Sequence, residues 1–229
     1  MNQDSTRPAL LRIVLGCGWL IAAVVLSAWH SEARAALIFT FDSNSCSSNC
    51  GTSGWGMVSV SQEPNSTTAI DFTVTINSPY EIHQTQNSNH PAFAVDINVA
   101  NVVFSNFKLN NVATNQVSSA GPSGNVPNYG AFPYTLSAAS DLGGVLTFTA
   151  SVASGTLTPH NIVLSPGNPV RAYMAADIKV MMGSNSGNTG NVAATHAPVR
   201  TPEPASLALF GLGLAGLQLV RRSRRNSAG

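Results

Sequence analysis

Ile70-Asp71-Phe72-Thr73-Val74-Thr75-Ile76 decides how the middle of the chain is read. Every second side chain is apolar, and those between are Asp or Thr, the pattern of a strand with one face on a core and one in water. Working outward, the same period of two recurs at Val58 and Val60, and at Leu37, Phe39 and Phe41. It recurs again at Phe93, Val95, Ile97 and Val99, at Leu146, Phe148, Ala150 and Val152, and at Met174, Ala176, Ile178 and Val180. Shorter strands are expected over 102–109, 132–136 and 162–164. Asn77-Ser78-Pro79, Asn89-His90-Pro91 and Ser165-Pro166-Gly167-Asn168-Pro169 punctuate the gaps as turns. No stretch of comparable length has helical periodicity. Residues 36–182 therefore read as an all-β domain, an antiparallel β-sandwich or jelly roll. The loop 110–130 is expected outside the core. The Gly/Asn/Ser-rich stretch 183–200 reads as a flexible linker whose first half can add an edge strand.

With 229 residues the chain is long enough for one ordinary domain and a buried core. Only 9% of its residues are charged and its formal net charge is +1, which leaves no broad basic surface for nucleic acid. Seven of its eleven Lys and Arg residues lie before residue 35 or after residue 220, beside the two most apolar runs. The ends therefore carry addresses.

Arg7 and Arg12 precede the apolar run Ile13 to Ala28, and Ala33-Arg34-Ala35 then supplies the small-x-small pattern that signal peptidase accepts. Residues 1–35 read as a signal peptide, and the mature chain is expected to begin at Ala36. A lipoprotein signal ending at Cys17 fails on length, because four residues between Arg12 and Cys17 are too few for a hydrophobic region of roughly 7–15.

The other end runs Thr201-Pro202-Glu203-Pro204, then sixteen mostly apolar residues over 205–220, then Arg221, Arg222, Ser223, Arg224 and Arg225. As a helix that run covers about 24 Å, marginal against a hydrocarbon core of about 30 Å. The arginines hold its end in the cytoplasm, so the body lies outside with Pro202, Glu203 and Pro204 at the outer face. Two prolines around a carboxylate favour an extended peptide that a protease can read. In this order of motif, span and basic stop, residues 201–225 resemble the PEP-CTERM sorting domain, the substrate class of exosortase-like membrane enzymes. The resemblance implies a Gram-negative bacterium that makes exopolysaccharide, a transiently membrane-anchored precursor, processing near the motif, and delivery to the cell surface or biofilm matrix. Signal peptidase and an exosortase-like enzyme are the expected partners, with exopolysaccharide a further one.

Once the signal is removed, Cys46 and Cys50 are the cysteines of the mature chain, in a compartment that permits a disulfide; a local bridge is favoured over a metal site or a redox motif. The body lacks the Gly-x-Ser-x-Gly, His-Glu-x-x-His and phosphate-loop signatures. Glu81, His83 and His90, with Asp96 alongside, are the residues a divalent metal would use, but they read more simply as loop polars. Asp71 and Asp96 are the carboxylates a glycosidase-like groove would pair. Trp55, Tyr80, Tyr129, Phe132 and Tyr134 are the aromatics a sugar ring would stack on, although core positions suit Trp55, Phe132 and Tyr134 equally well. No enzyme activity, cofactor or metal is expected. The favoured reading is a structural or adhesive surface protein, with a carbohydrate-binding module or a glycan-processing hydrolase as alternatives.

Overall fold

The computed structural model describes residues 35–46, 49–84, 90–121, 123–167 and 169–201, together with Gly211 and Gly213. The chain divides into two compact units, Ala35–Thr201 and the pair of ends Met1–Arg34 with Pro202–Gly229. In the second unit only Gly211 and Gly213 are described, both helical. The expected signal peptide up to Arg34, including Ala33, lies outside the described residues. So do Pro202, Glu203, Pro204, the rest of the expected helix 205–220, and Arg221, Arg222, Arg224 and Arg225. Among the described residues no helix is long and apolar enough to cross a membrane.

The body is built from antiparallel strands. In chain order they are β1 (Leu37–Thr40), β2 (Ser43–Asn44), β3 (Gly56–Gln62), β4 (Ala69–Ile76), β5 (Tyr80–Ile82), β6 (Phe93–Val95), β7 (Val103–Leu109) and β8 (Val112–Ala113). Then come β9 (Val117–Gly121), β10 (Gly124–Val126), β11 (Gly130–Phe132), β12 (Tyr134–Ala138), β13 (Val145–Ser151), β14 (Met174–Val180), β15 (Thr189–Ala194) and β16 (Val199–Arg200). One sheet has the order β16-β1-β3-β4-β13-β7-β8, and the other β2-β15-β14-β6-β12-β9 with β5 also on β14. A separate β10-β11 hairpin completes the set.

The alternation seen in the sequence is what the sheets bury. Val58, Val60, Ile70, Phe72, Val74, Leu146 and Phe148 from the first sheet share one core with Phe93, Val95, Leu136, Met174, Ile178 and Val192 from the second. The two sheets thus enclose a single apolar layer, as the halves of a sandwich do. Phe148 is its hub, stacked on Phe72 at a centroid distance of 4.8 Å and edge-on to Phe93 and Phe104 at 5.8 and 5.6 Å.

Three expectations are corrected. The supposed linker 183–200 holds β15 and β16, and the compact body runs on to Thr201. Val192 and Ala194 face the main core while Ala193 enters a second cluster, so both faces of β15 are covered. Gly190, which suggested flexibility, is there for close approach: a Cβ would stand 2.6 Å from Cys46 Sγ. The expected loop 110–130 carries β8 to β11, and the hairpin it forms lays Val126, Tyr129 and Phe132 over Ala94, Ala175 and Ala193. Small side chains on the outside of the second sheet make room for those rings. The segment 162–164 is no strand; Ile162 makes an isolated bridge to Ile97 after a 3-10 turn at Pro159–Asn161.

Candidate functional site

β1 and β16 pair antiparallel, with Leu37 opposite Arg200 and Ile38 opposite Val199. Beyond them the Ala36 amide donates to Thr201 Oγ1 at 3.0 Å, and the Thr201 amide returns a bond to the Ala36 carbonyl at 3.0 Å. The Thr201 hydroxyl also reaches that carbonyl at 3.3 Å. Ala36, the expected mature start, and Thr201, the residue before Pro202, are therefore clasped at one edge although 165 positions apart. The approach to the clasp is fixed by Asp42, which accepts from the Thr195 amide and hydroxyl and from the His196 amide and Nδ1, at 2.9, 2.7, 3.1 and 2.6 Å. Burial pushes the Asp42 carboxyl up, but these donors outweigh it and the net shift is down.

Cys46 and Cys50 form a disulfide with their Cα atoms 6.0 Å apart. Trp55 Nε1 donates to the Cys50 carbonyl at 2.9 Å, which ties the loop to the core.

A second feature lies on the outer face of the first sheet. A groove of about 620 Å³ is lined by Ser61, Glu63, Asp71, Thr73, Asn106, Lys108, Thr147 and Thr149, with Phe72 and Phe148 beneath. Register builds it: Ser61 lies opposite Asp71 and Asp71 opposite Thr149, while Thr73 lies opposite Thr147 and Thr147 opposite Lys108. Thr149 Oγ1 donates to Asp71 Oδ1 at 2.8 Å. Between Thr147 and Thr149 the register of β7 shifts, and Asn106 takes a left-handed φ of 57°. The inserted residue lets Phe104 and Phe107, three apart, both pack on Phe148, and it returns Lys108 to the outer row. Of the groove residues the sequence singled out only Asp71; Glu63, Asn106 and Lys108 carry no local signal. Asp96 follows β6 in the other sheet and does not line this groove, so the carboxylate pair considered for a glycosidase is not assembled.

Glu81 and His83 sit at β5 and just beyond it, but His83 turns to a residue the sequence did not mark. His83 Nδ1 is 2.8 Å from Asp141 Oδ1, the Gln84 amide donates to the same oxygen at 2.8 Å, and Lys179 Nζ donates to Asp141 Oδ2 at 2.7 Å. Burial pushes the Asp141 carboxyl up, yet Lys179, Gln84 and His83 together bring it down to about 2. Nearby Asp177, buried on β14, is shifted the other way by desolvation. Burial likewise raises Asp96. Among the described residues, no three His, Cys, Asp or Glu side chains are grouped so as to hold a metal ion.

The aromatic platform is not assembled either. Trp55, Tyr129 and Phe132 are fully buried, and Tyr80 and Tyr134 pack against the core. The Tyr129 hydroxyl donates to Ser43 Oγ at 3.1 Å, and the Tyr134 hydroxyl to the Val99 carbonyl at 2.6 Å. The hydroxyls of Tyr129 and Tyr134 are thus satisfied inside the fold, and Tyr80 and Tyr134 remain partly exposed.

No curated protein and no solved structure matches this chain. Residues 200–225 match the PEP-CTERM protein-sorting motif, so the chain carries a signal for export, a membrane-anchored precursor, and processing by an exosortase-like enzyme on the way to the cell surface.

Proposed function

We propose that the chain is a non-enzymatic structural or adhesive protein of a Gram-negative cell surface or its exopolysaccharide matrix, exported after signal-peptide cleavage behind Ala35. The sorting motif at 200–225 is the observation that carries the reading, because it begins where the folded body ends. A structural role is supported by how the scarce charges are used. Asp42 ties the approach to β16, and Asp141 ties β5 to β14, so both carboxylates serve as internal cross-links.

The test is Glu203→Ala in the native host. Export and the fold of the body should be unchanged while processing stops, leaving full-length protein in the membrane fraction. Replacing Arg221, Arg222, Arg224 and Arg225 together by Ser removes the positive-inside stop, and unprocessed chain should then appear in the soluble periplasmic fraction. Equal mature mass and equal surface fraction for wild type and Glu203→Ala would overturn the processing route.

A further inference from the structure

Charge is the scarcest material in the body. Between Ala36 and Thr201 there are eleven charged side chains, and three of them, Glu63, Asp71 and Lys108, line the groove on the outer face of the first sheet. Its volume of about 620 Å³ lies within the roughly 300–1,000 Å³ usual for ligand sites. The strand that forms one wall departs from regular geometry there. Asn106 stands in a left-handed conformation, which asparagine accepts more readily than other side chains, and the bulge sets Asn106 and Lys108 along the groove beside Thr149.

The lining narrows the ligand. Hydroxyls both donate and accept, the Asn106 amide does the same, the two carboxylates accept, and Lys108 donates. Such a surface suits a ligand that offers hydroxyls in both roles along its length. Two carboxylates against one ammonium disfavour a polyanion, which excludes a phosphodiester chain. No free aromatic face is present for a base to stack on, since both neighbouring rings, Phe72 and Phe148, belong to the core.

We propose that this groove binds a neutral polysaccharide chain, whose hydroxyls donate to Asp71 and Thr149 and accept from Asn106 and Lys108. The inference deepens the matrix-associated reading above and rests on it for the source of the glycan. It does not use the aromatic residues a sugar site would ordinarily need, so the affinity comes from polar contacts and is weakened by single deletions.

The experiment uses processed protein released from the surface of the native host. Retention is measured on immobilised neutral glucan, mannan and galactan and on the neutral polysaccharide of the producing cell, with alginate and single-stranded DNA as polyanion arms. Asn106→Gly keeps the left-handed backbone and removes the amide; Lys108→Met keeps the stem and removes the charge. Each should lower retention on at least one neutral glycan about tenfold, the loss expected for a hydrogen bond of about 1.4 kcal/mol, and Lys108→Met should do so with an unchanged melting temperature. Bound glycan should also shield the Lys108 amine from acetylation. Three results overturn the proposal: no retention on any neutral glycan, retention of both variants equal to that of the wild type, or retention confined to the polyanions. Normal processing of the same variants shows that such a failure is of the groove and not of the sorting route.

Discussion

Asp141→Asn separates an electrostatic cross-link from a packing contact, and its size follows from the geometry. The wild-type carboxylate takes donors from Lys179 and His83 and from the Gln84 backbone, and its side chain is 19% exposed. Its pKa falls from an ordinary 3.8 to about 2. The folded value lies below the unfolded one, so the stabilisation is complete above 3.8 and is lost as pH falls toward 2. A drop of nearly two units corresponds to about 2.5 kcal/mol at 1.36 kcal/mol per unit, and partial exposure to water trims that to about 1–2 kcal/mol. Asparagine keeps the shape and removes the charge. Urea unfolding at pH 7 should show the variant less stable by that amount, or about 2–8 °C lower in melting temperature for a body of this size. The gap should narrow steadily below pH 4 and nearly close at pH 2, where the wild-type group is itself becoming protonated. A gap that is constant from pH 7 to pH 2 would refute the reasoning, because it would mean that shape and not ionisation is at stake.

The buried carboxylate on β14 should behave in the opposite sense. Desolvation holds the Asp177 pKa above 3.8, so ionising it opposes folding, and Asp177→Asn should leave stability at pH 7 unchanged or raised; clear destabilisation refutes this. Thr201→Val keeps the side-chain shape but removes the Oγ1 bonds to Ala36, and should cost about 1 kcal/mol. Amide exchange should quicken at Thr201 and Leu37 and stay unchanged in β4; protection that does not change shows the clasp to be inert.

What was legible in the sequence is what alternation can encode. Ile70, Phe72, Val74 and Ile76 face one layer, so a period of two marks them, and the same holds for Leu146, Phe148 and Ala150. β15 escaped because both its faces are covered, and its glycine and asparagine match the composition of a linker. Its signal was the Val192-Ala193-Ala194 run, too short to outweigh the glycines before it. The bulge at Asn106 breaks the phase of β7: a strict period of two puts Asn106 and Lys108 on one face with Phe104, which is in fact core, so it cannot assign that face to the groove. Asp141 and His83 are 58 residues apart, and a pair at that distance leaves no mark on local sequence. The sorting motif was legible for the converse reason: all its parts lie within one short stretch.

The clasp also determines what can be cut away without changing the question. A chain ended at residue 182, where composition suggests that the domain stops, would lose β15 and with it the cover over Ala175 and the partner strand of β14. Ending at residue 195 keeps β15 but removes β16 and Thr201, which opens the β1 edge at Leu37 and leaves the Ala36 amide without its Thr201 partner. An open edge invites pairing with another chain. Loss of surface protein in either truncation would then mix instability with failure to sort. A chain ended after Thr201 keeps every strand among the described residues and both ends of the clasp, and it differs from the full chain only beyond the body. If that form is secreted with the full-length melting transition while Glu203→Ala stays in the membrane, then folding and sorting are separable at the bond between Thr201 and Pro202.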